Sequence, residues 1–121
     1  KKLLITLLLI SPFSFADWDD VYYCQMTRYV GVTLEGKAKN YVLEKFQFKL
    51  DRAKSAMVFG GSGFYFKDFV MVVDVGRVFA EQESWYASDE YSILYFEEGK
   101  FLYVAVGSKG TTSTFADCDK F

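Results

Sequence analysis

The chain contains no histidine, and that one absence removes more chemistry than any other feature of its composition. Without an imidazole there is no Ser-His-Asp triad, no Cys-His pair and no His-dependent metal site. Proline occurs once, at Pro12, and cysteine twice, at Cys24 and Cys118. No apolar run approaches the roughly 20 residues that a membrane-spanning helix needs. Basic residues are neither numerous nor clustered: 14 Lys and Arg stand against 16 Asp and Glu, a net charge of −2. A mildly acidic chain of this kind has no electrostatic footprint for nucleic acid or for an anionic membrane.

What is present begins with a basic start, Lys1-Lys2, and an apolar run from Leu3 to Ile10, broken by Ser11-Pro12. Ser14 and Ala16 then place small residues at −3 and −1 before Asp17. This layout predicts a secretory signal peptide over 1–16 and a single domain over 17–121, exported to the periplasm or beyond the cell, with no transmembrane segment in the mature chain. Without Lys1 and Lys2, 12 basic residues face 16 acidic ones, so the mature net charge would be −4. That length suffices for one core and not two. In an exported chain the two cysteines most economically form one disulfide, Cys24–Cys118, tying the first strand to the last.

Beyond the signal the pattern is strand-like throughout. One residue in five is aromatic, interleaved with valine in short runs that suit half-buried pleated surfaces. A first strand is expected from Trp18 to about Thr27 and a second from Arg28 to Leu34, with Lys37–Asn40 as loop. The clearest alternation lies in Val42–Leu50: Phe46, Phe48 and Leu50 face one way, Lys45, Gln47 and Lys49 the other. Asp51–Lys54 turns the chain back into a strand over Ser55–Phe59, a hairpin. After Gly60-Gly61-Ser62-Gly63, strand resumes from Phe64 to Val75. Its apolar phase slips at Lys67-Asp68, which requires a bulge or tight turn there.

Arg77–Ala87 fits strand or irregular structure, with one short helix as the alternative. A second hairpin joins Tyr91–Phe96 to Phe101–Val106 through Glu97-Glu98-Gly99-Lys100, and both its strands are apolar on both faces. The fold class is therefore all-β: a single small antiparallel barrel of seven or eight strands, or a two-layer sandwich.

Among candidate site residues, most carboxylates fall in turns and read as solvated charge. Glu44 is the exception, sharing the face of Phe46, Phe48 and Leu50, or else lying at the strand mouth in reach of water. Asp17, Asp19 and Asp20 lack the spacing of a calcium loop and read as a mobile acidic N-terminus. The glycine-rich segment is not a phosphate-binding loop, because no Lys-Ser/Thr follows it. It reads as a flexible hairpin tip, or as backbone able to enter a partner's groove. The aromatic residues, among them Tyr65, Trp85, Tyr95 and Tyr103, either fill a small barrel or line a cavity for an apolar ligand.

Tyr22-Tyr23-Cys24, Ser62-Gly63 and the late Cys118 together resemble the small periplasmic inhibitors of C-type lysozyme. The resemblance implies a disulfide-stapled barrel and a Ser-Gly loop that enters a lysozyme cleft. The chain departs from that family in the short spacing of Ser62-Gly63-Phe64-Tyr65 and in having no Trp-Lys-Gly motif around Trp85. The sequence thus leads to an exported, monomeric, non-enzymatic barrel without cofactor or metal. It would bind a small apolar ligand or a protein partner, with Ser62, Gly63, Tyr65, Glu44, Trp85, Tyr95 and Tyr103 as candidate contacts. The alternative is a hydrolase inhibitor acting through Gly60–Gly63.

Overall fold

The computed structural model describes residues 16–74 and 84–121; all but the last residue of the expected signal peptide, and most of the ambiguous 77–87 stretch, lie outside the described residues. The described residues form nine strands: β1 Val21–Thr33, β2 Ala38–Asn40, β3 Lys45–Asp51, β4 Ala56–Phe59, β5 Val70–Val72, β6 Ser84–Ser88, β7 Ser92–Glu97, β8 Lys100–Gly107 and β9 Gly110–Lys120. All pairings are antiparallel, and eight strands form the wall in the order β5-β4-β3-β1-β9-β8-β7-β6, with β2 pairing β1 off this path. Among the described residues the end strands meet at a bridge between Val73 and Ala87 and through the Asp74 N–H, which donates to the Tyr86 carbonyl at 2.8 Å. The sheet is thereby nearly closed into an eight-stranded barrel, and no helix among the described residues is long and apolar enough to cross a membrane.

The wall differs from the sequence reading at four places, each with a local cause. The two strands expected on either side of Thr27 are one strand, because a bulge between Met26 and Arg28 absorbs a phase slip that would otherwise end it. Before the bulge Tyr22, Cys24 and Met26 point inward; after it Tyr29 and Gly31 do. Lys37–Asn40 is not all loop, since Ala38–Asn40 pairs with Val30–Val32. The third strand begins at Lys45 rather than Val42, so Glu44 stands just outside it. Phe64–Phe69 is irregular rather than strand, and only Val70–Val72 is extended; the turn expected at Lys67-Asp68 is there, with Asp68 at φ 55°. The two hairpins are where the alternation puts them, β3–β4 and β7–β8, the second turning through Glu98 and Gly99 at φ 49° and 78°.

Inside the wall, register stacks the side chains in layers. Leu94, Tyr103, Thr114 and Tyr29 form one layer, and Phe96, Phe101, Ala116 and Met26 the next. Cys118, Cys24 and Phe46 follow, then Tyr22, Phe48 and Phe59. Cys24 and Cys118 are directly opposite one another and disulfide-bonded. The phenylalanine rings touch in tilted and edge-on pairs, Phe48 with Phe96 at 5.1 Å and Phe46 with Phe101 at 4.9 Å. Each such buried ring contributes about 2–3 kcal/mol of transfer free energy, so this column is the main stabilising feature of the fold.

One end of the barrel is plugged by the N-terminal segment. Trp18 packs edge-on against Trp85 at 4.8 Å, and the backbones of Asp19 and Asp20 exchange hydrogen bonds with Leu50. Asp20 also pairs with Lys120 at 3.0 Å. Read from sequence as a mobile acidic tail, this segment is instead a hydrogen-bonded cap on the core.

Candidate functional site

The other end of the barrel carries the loop between β4 and β5, residues 60–69. Its sequence fixes its shape at both ends. Phe59 and Phe66 stack at 4.9 Å in the core, and Phe66 is buried. The Gly60 N–H donates to the Gln47 carbonyl, the Gly60 carbonyl accepts from the Asp68 N–H, and the Phe59 N–H donates to the Phe69 carbonyl. Gly60 is needed because the Gln47 side chain lies across it: a Cβ there would come within 2.8 Å of the Gln47 Cγ. Gly63 is needed twice over, for its φ of 79° and because a Cβ would meet the Lys45 carbonyl at 2.9 Å.

Glu44 closes the loop from below. Its Oε1 accepts the backbone N–H groups of Phe64, at 2.6 Å, and of Tyr65, at 3.2 Å. A carboxylate holding two consecutive amides pins the chain at the turn. The consequence is visible one residue on: the Phe64 ring is 89% exposed while Tyr65 and Phe66 turn inward. The loop is therefore a short, doubly anchored projection with one large apolar side chain at its tip.

Tyr65 leads into a cluster at the barrel mouth. Its ring lies 4.9 Å from Tyr29, which stacks on Tyr41 at 4.5 Å, and its hydroxyl is 3.3 Å from the Thr112 Oγ1. Tyr103 is edge-on to Tyr65 at 6.0 Å. Burial pushes the Tyr29 phenol well above its ordinary range, and neighbouring Tyr65 adds to the shift. Burial also raises Tyr103, partly offset by a hydrogen bond between its phenol and Ser92. Ser92 in turn donates to Asp89 at 2.8 Å; the Tyr91 amide, followed by the Ser92 donors, holds the Asp89 carboxyl below its usual value.

The candidate residues thus divide into three groups. Glu44, Gly63, Tyr65 and Tyr103 meet at the mouth, with Ser62 beside them on the loop. Trp85 lies buried near the opposite end against Trp18, out of reach of a ligand at the mouth. Tyr95 points outward from β7, its hydroxyl on Ser84. Sequence reasoning missed Phe64, Tyr29 and Tyr41. Phe64 was hidden by its place in an apparent strand, and Tyr29 by the bulge that turns it inward.

Two clefts adjoin this end, and both open to the outside. One, of about 570 Å³, lies under Ser62 and Gly63 on the outer face of β3, β1 and β9, over Tyr23, Gln25, Lys45, Gln47, Asp117 and Asp119. The other, of about 300 Å³, is at the mouth between Tyr41, Ala105, Gly107, Gly110 and Thr112. The first also touches Cys24 and Phe46 of the wall. No family model, no curated protein and no solved structure matches this chain.

Proposed function

We propose that the protein is an exported, non-catalytic β-barrel module that binds a protein partner through the Gly60–Phe66 loop. The observation that carries this reading is the Phe64 ring, 89% exposed at the tip of a loop held by Glu44, Gln47 and the buried Phe66. An apolar side chain on a pre-ordered backbone is the usual form of an interface anchor, because little conformational entropy is lost on docking. Contacts among the interior rings favour this over an apolar ligand held inside the wall. The disulfide supports an oxidising compartment.

Within this reading, the resemblance of Tyr22-Tyr23-Cys24, Ser62-Gly63 and Cys118 to the lysozyme inhibitors makes a lysozyme-type hydrolase the partner class we propose. Inhibition of a panel of lysozymes tests it. The wild type is expected to inhibit at least one, with Phe64→Ala at least tenfold weaker and Ser62→Trp inactive. A panel left untouched by the wild type removes the hydrolase as partner. A photoreactive phenylalanine analogue at position 64 tests the broader claim: an adduct formed there and not at Lys49 is expected. Equal labelling at both positions would overturn it.

A further inference from the structure

Four of the nine tyrosines gather at the mouth of the barrel, and their rings form a chain: Tyr41 on Tyr29, Tyr29 against Tyr65, Tyr65 against Tyr103. The three contacts differ in a way that matters to phenol chemistry. Tyr29 and Tyr41 are stacked with their planes 28° apart, so their faces meet. Tyr65 and Tyr103 are edge-on, with centroids 6.0 Å apart. Tyr29 and Tyr65 lie 4.9 Å apart at a 45° tilt, and their phenols are hydrogen-bond partners. Two hydroxyls in contact bring the ring carbons ortho to them side by side, which stacked faces do not. This pair also spans two elements: Tyr29 stands on β1 just after its bulge, and Tyr65 on the 60–69 loop next to the exposed Phe64. The cleft of about 300 Å³ opens beside them, lined by Tyr41 and by Thr112, whose Oγ1 lies 3.3 Å from the Tyr65 hydroxyl. Lys39 holds its ammonium 5.1 Å from the Tyr41 ring. A cation near a ring makes removal of an electron from it harder, so a radical formed in this chain settles away from Tyr41.

We propose that Tyr29 and Tyr65 are preset for oxidative coupling into an intrachain dityrosine, a cross-link that fastens the Gly60–Phe66 loop to β1. The co-reactant is a one-electron oxidant, a haem peroxidase supplied with hydrogen peroxide, in the oxidising compartment that the disulfide supports. Each phenol gives up one electron and one proton and becomes a phenoxyl radical, with spin density on the carbons ortho to oxygen. The Tyr65 proton leaves by way of the Thr112 hydroxyl into the open cleft. One C–C bond then forms between an ortho carbon of each ring. The ring hydrogens at that bond shift to the oxygens and restore both phenols. The chain loses two hydrogens in all, and one hydrogen peroxide is reduced to two waters. The link closes the chain between positions 29 and 65, so the loop can no longer leave the wall. This inference does not depend on Phe64 having a partner; where it has one, the link presents the same tip with less freedom to lose.

The test treats the purified mature protein, dilute enough that chains couple only within themselves, with a haem peroxidase and one equivalent of hydrogen peroxide. The expected product is a monomer lighter by two hydrogens, with blue dityrosine emission. After reduction and digestion with trypsin, the peptide that follows Arg28 should be joined to the one that ends at Lys67. Tyr29→Phe and Tyr65→Phe, which keep the rings, should each lower the emission at least tenfold. Tyr91→Phe, at a ring 68% exposed, should leave it unchanged. In the coupled protein, exchange of the Phe64 and Tyr65 amides should slow at least tenfold. A linkage to Tyr41, or to Tyr91 of another chain, in place of the 29–65 product would overturn the inference. So would a protein left unmodified under conditions that couple free tyrosine, or unchanged exchange in the coupled form.

Discussion

At the scale of single residues, the mouth of the barrel depends on phenols kept neutral. Tyr29 is enclosed by Tyr65 and Tyr41, and burial raises its pKa. A group whose folded pKa lies above its unfolded value of about 10 contributes stability that is fully present below that pH. The contribution is lost as pH rises through the folded value. Thermal melts from pH 8 to 12 should therefore show a fall beginning near pH 10. Tyr29→Phe should make the fall shallower, and an unchanged slope in that variant would show that Tyr29 is not its source. Residue type in the sequence identifies Tyr29 as aromatic but cannot show it turning inward. That orientation depends on one extra residue at the bulge, which leaves no mark in local composition.

At the scale of elements, the loop of residues 60–69 shows where local signals end. Its glycines, its phase slip at Lys67-Asp68 and the hairpin before it are all legible, because each is a matter of spacing or of φ. Its shape is not, because the decisive bonds come from Glu44, about 20 positions earlier in the chain. The alternation around Phe46 placed Glu44 on the apolar face or at its mouth; the mouth is where it lies, satisfied by two amides. Glu44→Ala should leave the barrel folded, since Phe66 and Phe59 still anchor the loop, but cost about 1–2 kcal/mol through the two lost charge-assisted bonds. Hydrogen exchange of the Phe64 and Tyr65 amides should accelerate at least tenfold while the β1 and β9 amides keep their protection. Unchanged exchange at those two amides would show that Glu44 does not hold the loop. The β7 and β8 strands, apolar on both faces, are the converse case. From sequence they read as strands buried between core and cover or lining a cavity, whereas their outer side chains, Ile93, Tyr95 and Val106, are substantially exposed.

For the whole molecule, the disulfide follows from cysteine count and the expectation of export, and the near-closed barrel from strand number and hairpin order. Removing the disulfide by Cys24→Ser and Cys118→Ser should lower stability by up to about 4–5 kcal/mol in the chain-entropy model, given a separation of 94 residues. Urea unfolding of the double variant beside the wild type measures this. Equal midpoints would mean that the β1–β9 ladder alone supplies the constraint.

The strand order gives that bond a further meaning. β1 and β9 lie at the middle of the sheet, and among the described residues the ends, β5 and β6, meet at the Val73–Ala87 bridge and at the Asp74–Tyr86 hydrogen bond. The covalent link is thus sewn into the spine, as far along the wall as possible from the seam where the edges meet. Strand separation is then expected to begin at β5 and β6 and to leave the stitched pair in register. Trp85, buried on β6 beside that seam, sits where its emission would register each opening.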